Sequence, residues 1–446
     1  MNTPRPPLKS LDDALAELLG HATTLTGVEQ ITTFDGDGRV LAQDMVSALH
    51  VPPQDNSSMD GYAVRCADVR VAGGVLPVSQ RIPAGASGQS LQPGTVARIF
   101  TGAPIPAGAD AVIMQEDCEP LGDAKPEQGS LGSVRIKSVP ASGQWIRRAG
   151  EDVTRGAVVL SKGTRLTPAS QGLAASIGLS TLPVVRCPRV ALFSTGDELV
   201  MPGDIAPEHM PAGAIYNSNR FFLRSLLQRL GCEVTDFGIV PDRRDATVDA
   251  LREAAMQHDL ILTSGGVSVG EEDHIKPAVQ TLGELDLWQI AIKPGKPFAY
   301  GSIARQSSQR DAPNVGTPTL TLPRPAGEGA ASSKCHFIGL PGNPVSSFIT
   351  FLLLVRPFLL RLQGGQRVAP IVTAMPEHFD WLRADKRREF LRVRRNAAGG
   401  LDLFPNQSSG VLTSAVWGDG MVDNPAGRTI AKGDTVQFIS FAELMG

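Results

Sequence analysis

The sequence predicts a multidomain protein of the α/β plus β class, and three observations carry that reading. Between residues 189 and 360, apolar runs of strand length alternate with amphipathic helical stretches, the rhythm of βαβ units around a central parallel sheet. Residues 51–147 instead hold short β-prone runs between Pro/Gly turns, and the chain after residue 364 is again β-rich. The chain has 446 residues, enough for roughly three domains by size.

The first element is a helix within 10–25, where Leu11, Leu15, Leu18, Ala22 and Leu25 share a face and Ser10 with Asp13 resembles a capping box. The inserted β-rich domain, 51–147, has strands at 96–100, 111–114 and 133–136, with the polar, Gly-rich 122–132 as a hairpin tip. A linking α+β domain is discontinuous, built from 1–50 and 148–187, with a helix at 167–177. The α/β domain, 188–363, begins with strand 190–194 and helix 218–230, which Gly231 ends. Strand 234–240, helix 246–258, strand 260–263 and helix 275–282 follow, and strands 298–303 and 335–339 with helix 345–360 close it. Residues 364–446 form a barrel-like module with strands at 389–394, 401–404 and 435–439. Segment 305–334, rich in Ser, Pro, Gly, Arg and Ala, reads as a disordered surface insertion.

Composition narrows the function classes. With 42% hydrophobic and 20% charged residues, the chain has the make-up of a globular protein, and a formal charge of −3 gives no reason to expect nucleic acid. Cys66, Cys118, Cys187, Cys232 and Cys335 are isolated, without a C-x-x-C pair, so neither a zinc site nor a disulfide framework is indicated. Residues 1–9 lack the apolar stretch of a signal peptide. The most apolar run, 348–360, contains Arg356-Pro357 and is too short to span a bilayer, so it reads as a buried helix. A cytoplasmic protein without a membrane partner is expected.

The most informative stretch is Thr263-Ser264-Gly265-Gly266-Val267-Ser268-Val269-Gly270-Glu271-Glu272-Asp273. Glycines and serines at the carboxyl end of a strand turn N–H groups toward an anion. The acidic cluster behind them suits a phosphate only with a divalent cation between. It is not a P-loop, since no Lys-Ser/Thr follows the glycines. Four further segments converge on the same sheet edge, where open α/β sheets bind ligands. Ser194-Thr195-Gly196-Asp197-Glu198-Leu199 offers adjacent carboxylates, or is a plain turn. Pro241-Asp242 offers a carboxylate that also fits a helix entry. Ile292-Lys293-Pro294-Gly295-Lys296-Pro297 offers two cations suited to an oxyanion, or two solvated lysines. Gly339-Leu340-Pro341-Gly342-Asn343-Pro344-Val345-Ser346 places Asn343 at the cap and Pro344 in the first turn of a helix whose start favours an anion. Elsewhere, Asp60, Thr101, Asp152, Arg387 and Gln407-Ser408-Ser409 lie in turns that are equally structural by type.

Taken in order, SMDGYA at 58–63, FTGAP at 100–104, GED at 150–152, STGDEL at 194–199, TSGGVSVGEED at 263–273, IKPGKP at 292–297 and GLPGNPVS at 339–346 resemble the molybdopterin molybdenumtransferases. The α/β portion alone is similar to the related molybdopterin adenylyltransferase domain. The resemblance implies an elongated homodimer that takes adenylylated molybdopterin and molybdate to molybdenum cofactor and AMP, with Mg²⁺ assisting. It implies that Ser264, Gly265, Gly266, Ser268 and Gly270 cradle the pyrophosphate, that Asp242 and Asp273 hold the metal, that Glu198 completes the polar wall, and that Pro341 is among the substrate-binding residues. It assigns molybdate to Lys293, Lys296, Ser346, Arg387 and Ser408 or Ser409, and gives Asp60, Thr101 and Asp152 a catalytic role from the partner subunit's β insert. A separate adenylyltransferase and molybdoenzyme maturation factors are the partners implied. Two departures are the 305–334 insertion and His274 in place of an aromatic. The alternatives are an adenylyltransferase, which would consume ATP without molybdate, and a non-catalytic scaffold of the gephyrin kind.

Because 305–334 has little apolar surface to offset its ordering entropy, deleting about 25 of its residues is expected to leave stability and turnover nearly unchanged. A large loss of correctly folded protein on deletion would show that the segment packs.

Overall fold

The computed structural model describes residues 8–122, 131–240, 243–266, 275–305 and 334–445. Most of the expected insertion and hairpin tip, and the assigned residues Asp242, Ser268, Gly270 and Asp273, lie outside the described residues.

Six strands make the large sheet, in the order Glu233–Val240, Arg189–Thr195, Leu260–Ser264, Lys334–Leu340, Pro297–Ala304, Gly283–Gln289. The first four are parallel, as expected. The remaining two add an antiparallel edge. Only residues 290–296 separate Gly283–Gln289 from Pro297–Ala304, and so short a connection closes an antiparallel pair but not a crossover. The strand Gly283–Gln289 was not legible in the sequence, because its alternating Glu284, Leu285, Asp286, Leu287 follows directly on a helix.

Strand alternation divides the core into two layers. Val190, Leu192, Leu260 and Leu262 face helix Asn219–Arg229, the N-terminal helix Leu11–His21 and the 344–362 helix. Ala191, Phe193, Ile261 and Phe337 face helices Arg244–Gln257 and Ile275–Leu282. The apolar run near the C-terminal end of this domain is helical over Pro344–Leu362, with a π-helical turn at Phe351–Val355, and almost all of it is buried inside the fold. Leu11–His21 is capped by Ser10, whose hydroxyl accepts from the Asp13 N–H at 3.1 Å, and is shorter than the pattern suggested.

The remaining modules are β-rich. The insert is one sheet in the order Ala111–Met114, Gly61–Val64, Val96–Ile99, Val75–Ile82, Ser133–Ile136, Cys118–Leu121, with an apolar cluster on each face. Two antiparallel ribbons, Val28–Thr32 with Thr181–Val185 and Met45–Val46 with Val158–Leu160, lead the chain into and out of it beside helix Pro168–Ser176. The C-terminal strands Arg388–Arg395, Gly420–Asn424, Thr435–Ser440 and Thr373–Pro376 form a sheet in that order. Its outer member is the two-residue strand Ile292–Lys293, contributed by the α/β domain and parallel to Arg388–Glu389. All five cysteines are free thiols.

Asp259, 6% exposed, fixes the lower end of the large sheet. Arg186 forks onto it at 2.7 Å to each oxygen, the Arg189 N–H donates at 2.9 Å, and Arg305 lies at 3.4 Å. Burial pushes its carboxyl up; the Arg186 fork and the Arg189 N–H outweigh that and hold it below its usual value. Arg186→Ala removes the principal partner of a buried charge, so a stability loss of about 3 kcal/mol is expected, the low end for a broken buried pair because Arg305 stays. Urea denaturation measures it; a loss under about 1 kcal/mol would mean that Arg305 and water suffice.

Candidate functional site

Ser194, Ser264 and Leu340 lie level at the carboxyl ends of three neighbouring parallel strands. Beyond them Gly265 and Gly266 adopt φ of +93° and +68°. A Cβ at Gly265 would stand 2.7 Å from the Thr195 carbonyl oxygen, and one at Gly266 2.9 Å from Thr195 Oγ1, so the loop's backbone lies directly on the neighbouring strand end. Glu198 folds back over Gly196, where a Cβ would meet Glu198 Oε2 at 2.4 Å. Pro341 follows Leu340, the last residue of its strand, and is buried.

One residue that the sequence did not single out ties these loops together. Asn219 Nδ2 donates to Ser264 Oγ at 2.7 Å and to the Gly342 carbonyl at 2.7 Å, joining the Gly-rich loop to the loop before helix Pro344–Thr350. Around it, Ser194 Oγ, Thr195 Oγ1, Thr263 Oγ1, Asn217 Nδ2 and Asn219 Oδ1 are buried without a hydrogen-bond partner among the described residues. Such groups are costly to bury unless something polar meets them, so this sheet edge has hydrogen-bonding capacity to offer a ligand.

The second half of the site lies where the two sheets meet. The helix Pro344–Thr350 has Asn343 at its cap position with an extended backbone and no side-chain cap bond, and Pro344 at its first turn. Ser346 is buried on that turn. The Val345 N–H donates to the Ser409 carbonyl at 2.9 Å, which brings the C-terminal Ser408-Ser409 turn onto the helix start. The lysine loop packs against the same helix, since a Cβ at Gly295 would meet Thr350 Oγ1 at 2.3 Å and the Ser346 carbonyl at 3.5 Å. Lys293 Nζ reaches Glu389 Oε1 at 3.0 Å and Asp385 Oδ2 at 3.3 Å. Arg387 forks onto Asp385 with both contacts at 3.0 Å. That fork, foremost, holds the Asp385 carboxyl well below its usual value, and Asp385 in turn raises Arg387. Lys293, Ser346, Arg387 and Ser409 are thus gathered from two domains, while the Lys296 carbonyl accepts from the Ile290 N–H and its Nζ makes no ion pair among the described residues.

Two buried charges here escaped the sequence reading. Glu389, 1% exposed, opens the strand expected at 389–394; Trp381 Nε1 donates to its Oε2 at 2.8 Å. Arg392, also 1% exposed, has no carboxylate partner among the described residues. Its guanidinium donates to the Phe390 carbonyl at 2.9 Å, Ser414 Oγ at 3.2 Å and the Ser408 carbonyl at 3.4 Å, and burial pushes its pKa down to about 10. It anchors the Ser408-Ser409 turn from beneath. Alternating charge and apolar residues in Arg388–Arg395 were the one sequence sign that this strand has a buried face.

In the insert, Asp60 and Thr101 are neighbours: the Thr101 N–H and hydroxyl both donate to Asp60 Oδ1, at 2.8 and 2.7 Å, and hold its carboxyl below the usual value. Asp152 lies on a different turn, its N–H donating to the Val51 carbonyl at 3.0 Å. Among the described residues no hydrogen bond joins these three to Ser264, Lys293 or Arg387. No cluster of three or more His, Cys, Asp or Glu side chains suited to a metal occurs among the described residues, and both residues assigned to Mg²⁺ lie outside them.

Three family models match in order: "MoeA N-terminal region (domain I and II)" over residues 9–178, "Probable molybdopterin binding domain" over 191–361 and "MoeA C-terminal region (domain IV)" over 375–441. The chain is 35% identical to the molybdopterin molybdenumtransferase of Haemophilus influenzae, over 98% of this chain and 100% of that protein. It is 32% identical to the protein of the same name from Nostoc sp., over 96% and 92% respectively. The crystal structure of the molybdopterin biosynthesis moeA protein from Pyrococcus horikoshii OT3 superposes with a TM-score of 0.78 at 26% identity, covering 98% of this chain and 100% of that one. On sequence, domain order and fold together, the chain belongs to the molybdopterin molybdenumtransferase family.

Proposed function

We propose that this protein inserts molybdenum, supplied as molybdate, into adenylylated molybdopterin, releasing molybdenum cofactor and AMP. Family membership supports the coarse statement that it is a transferase of molybdenum cofactor biosynthesis. The observation that carries the finer one is that Lys293 and Arg387, from two domains, converge on one carboxylate, Asp385, across the junction of two sheets. An ammonium and a planar guanidinium fork are groups that recognise a tetrahedral dianion. An adenylyltransferase accounts for the α/β part alone, whereas the relatives named molybdenumtransferase match across almost all of the chain.

In this reading the strand-end pocket takes the adenylylated pterin. The Gly265 N–H is spent on the Leu340 carbonyl, so the Gly-rich loop beyond it cradles the pyrophosphate, and the Ser194, Thr195 and Asn219 groups supply further polar contacts. Glu198 lies at the rim of that pocket. Lys293, Lys296, Arg387, Ser346 and Ser409 hold molybdate beside it. Mg²⁺, held by Asp242 and Asp273, would polarise a phosphoryl oxygen. Asp60 with Thr101, and Asp152, act from the insert of a second subunit in a homodimer, at a site that a single chain leaves incomplete. Cytoplasmic placement accords with the five free thiols.

Lys293→Ala and Arg387→Ala should each raise the molybdate requirement while adenylylated molybdopterin still binds. A charge-assisted contact contributes about 1.5–3 kcal/mol, so about one to two decades in the KM for molybdate are expected. Steady-state AMP release against molybdate concentration is the measurement. Unchanged molybdate dependence in both variants would sink the assignment.

A further inference from the structure

Asp385 stands where the substrate's oxygens belong. Its Oδ1 takes Arg387 Nε and its Oδ2 takes Arg387 Nη2, both at 3.0 Å, and Lys293 Nζ lies 3.3 Å from the same Oδ2. A fork plus an ammonium is how proteins recognise an oxyanion. Here a side chain of the protein itself fills that arrangement. With Glu389 included, the two paired cations and the two carboxylates cancel, and a dianion entering the site unchanged would meet only the charge of Lys296.

The two carboxylates are not equivalent. Glu389 is 1% exposed and is held on a central strand by Trp381 as well as Lys293. It cannot leave without stranding Trp381 Nε1. Asp385 has a side chain 21% exposed and sits in the turn before that strand; the Gly427 N–H holds its backbone carbonyl, while its carboxylate is held, among the described residues, only by Lys293 and by Arg387, through its fork and its backbone N–H. It can rotate outward into water.

We propose that Asp385 is an intramolecular competitor for the molybdate site, a latch that occupies Lys293 and Arg387 in the free protein and is displaced by a dianionic oxyanion. This rests on the assignment of Lys293 and Arg387 to molybdate. The consequence is a charge filter. A tethered carboxylate has an effective concentration in the millimolar range or above, so a monoanion of equal charge does not displace it at ordinary concentrations. A dianion interacts with each cation about twice as strongly and does. Asp385 is thus a specificity-determining residue rather than a catalytic one.

The test uses the full-length protein with sodium molybdate alone, titrated calorimetrically without pterin. Asp385→Asn keeps an oxygen to accept the Arg387 N–H and removes the competing charge; Asp385→Ser is the second variant, in case the first is poorly folded. Both should bind molybdate about tenfold more tightly or better, equivalent to about 1.4 kcal/mol. Nitrate, which leaves molybdate binding by the wild-type protein unaffected, should become a competitor. In turnover the KM for molybdate should fall while that for adenylylated molybdopterin stays fixed. Molybdate binding that is unchanged or weaker in the folded variants overturns the latch. Arg387→Ala placed on Asp385→Asn separates the two levels: if the double variant binds molybdate as tightly as Asp385→Asn, the molybdate assignment fails; if it binds more weakly while Asp385→Asn itself is no tighter than the wild type, only the latch fails.

Discussion

The site depends on one short piece of backbone pairing. Ile292–Lys293 lies parallel to Arg388–Glu389, in register Ile292 with Arg388 and Lys293 with Glu389, and the Arg388 N–H donates to the Ala291 carbonyl at 2.9 Å. Without it the lysine loop would belong to the α/β domain and the arginine to the C-terminal module, with nothing to hold their charges at a common point. Backbone hydrogen bonds fix register in a way that two long charged side chains cannot, because the side chains lose more rotamer entropy than an exposed ion pair returns. The pairing makes the C-terminal sheet a neighbour of the lysine loop.

Buried charge is concentrated at the same kind of place. Asp259, Glu389 and Arg392 are all nearly inaccessible to water, and each sits where one segment of the chain is fastened to another. Asp259 fastens the linking ribbon to the foot of the large sheet, Glu389 fastens the lysine loop, and Arg392 fastens the serine turn. A hydrophobic contact would tolerate sliding by an ångström. A desolvated charge does not, since every displacement exposes an unpaired group in a poor dielectric. Rigidity at these junctions is what permits the turn before the C-terminal strand to be the yielding element.

Much of this was legible in the sequence, for local reasons. The strands Ala111–Met114 and Ser133–Ile136 and the helix Ile275–Leu282 begin and end where their patterns said, because period and flanking turns specify them. The Gly-rich loop and the lysine loop announced themselves through residue types that few structural roles demand. Lys293's partners could not be read, since Glu389 is 96 positions away. Asn219 was equally opaque: an asparagine at a helix start reads as a cap, and its bonds to Ser264 and Gly342 span 45 and 123 residues. What was lost was long-range pairing among polar groups, for which sequence spacing carries no signal.

The Pro344–Leu362 helix sets an order on how the molecule comes into being. All six strands of the large sheet precede it in the chain, and the helix that fills one of the sheet's two core layers leaves the ribosome last among that domain's elements. Until it arrives, Val190, Leu192, Leu260 and Ile338 have no complete cover on that side. The β insert, finished some two hundred residues earlier, faces no such wait and can close on its own two clusters. Nascent chains therefore pass through a stage with a folded outpost and an open apolar sheet, the stage at which a chaperone has most to bind.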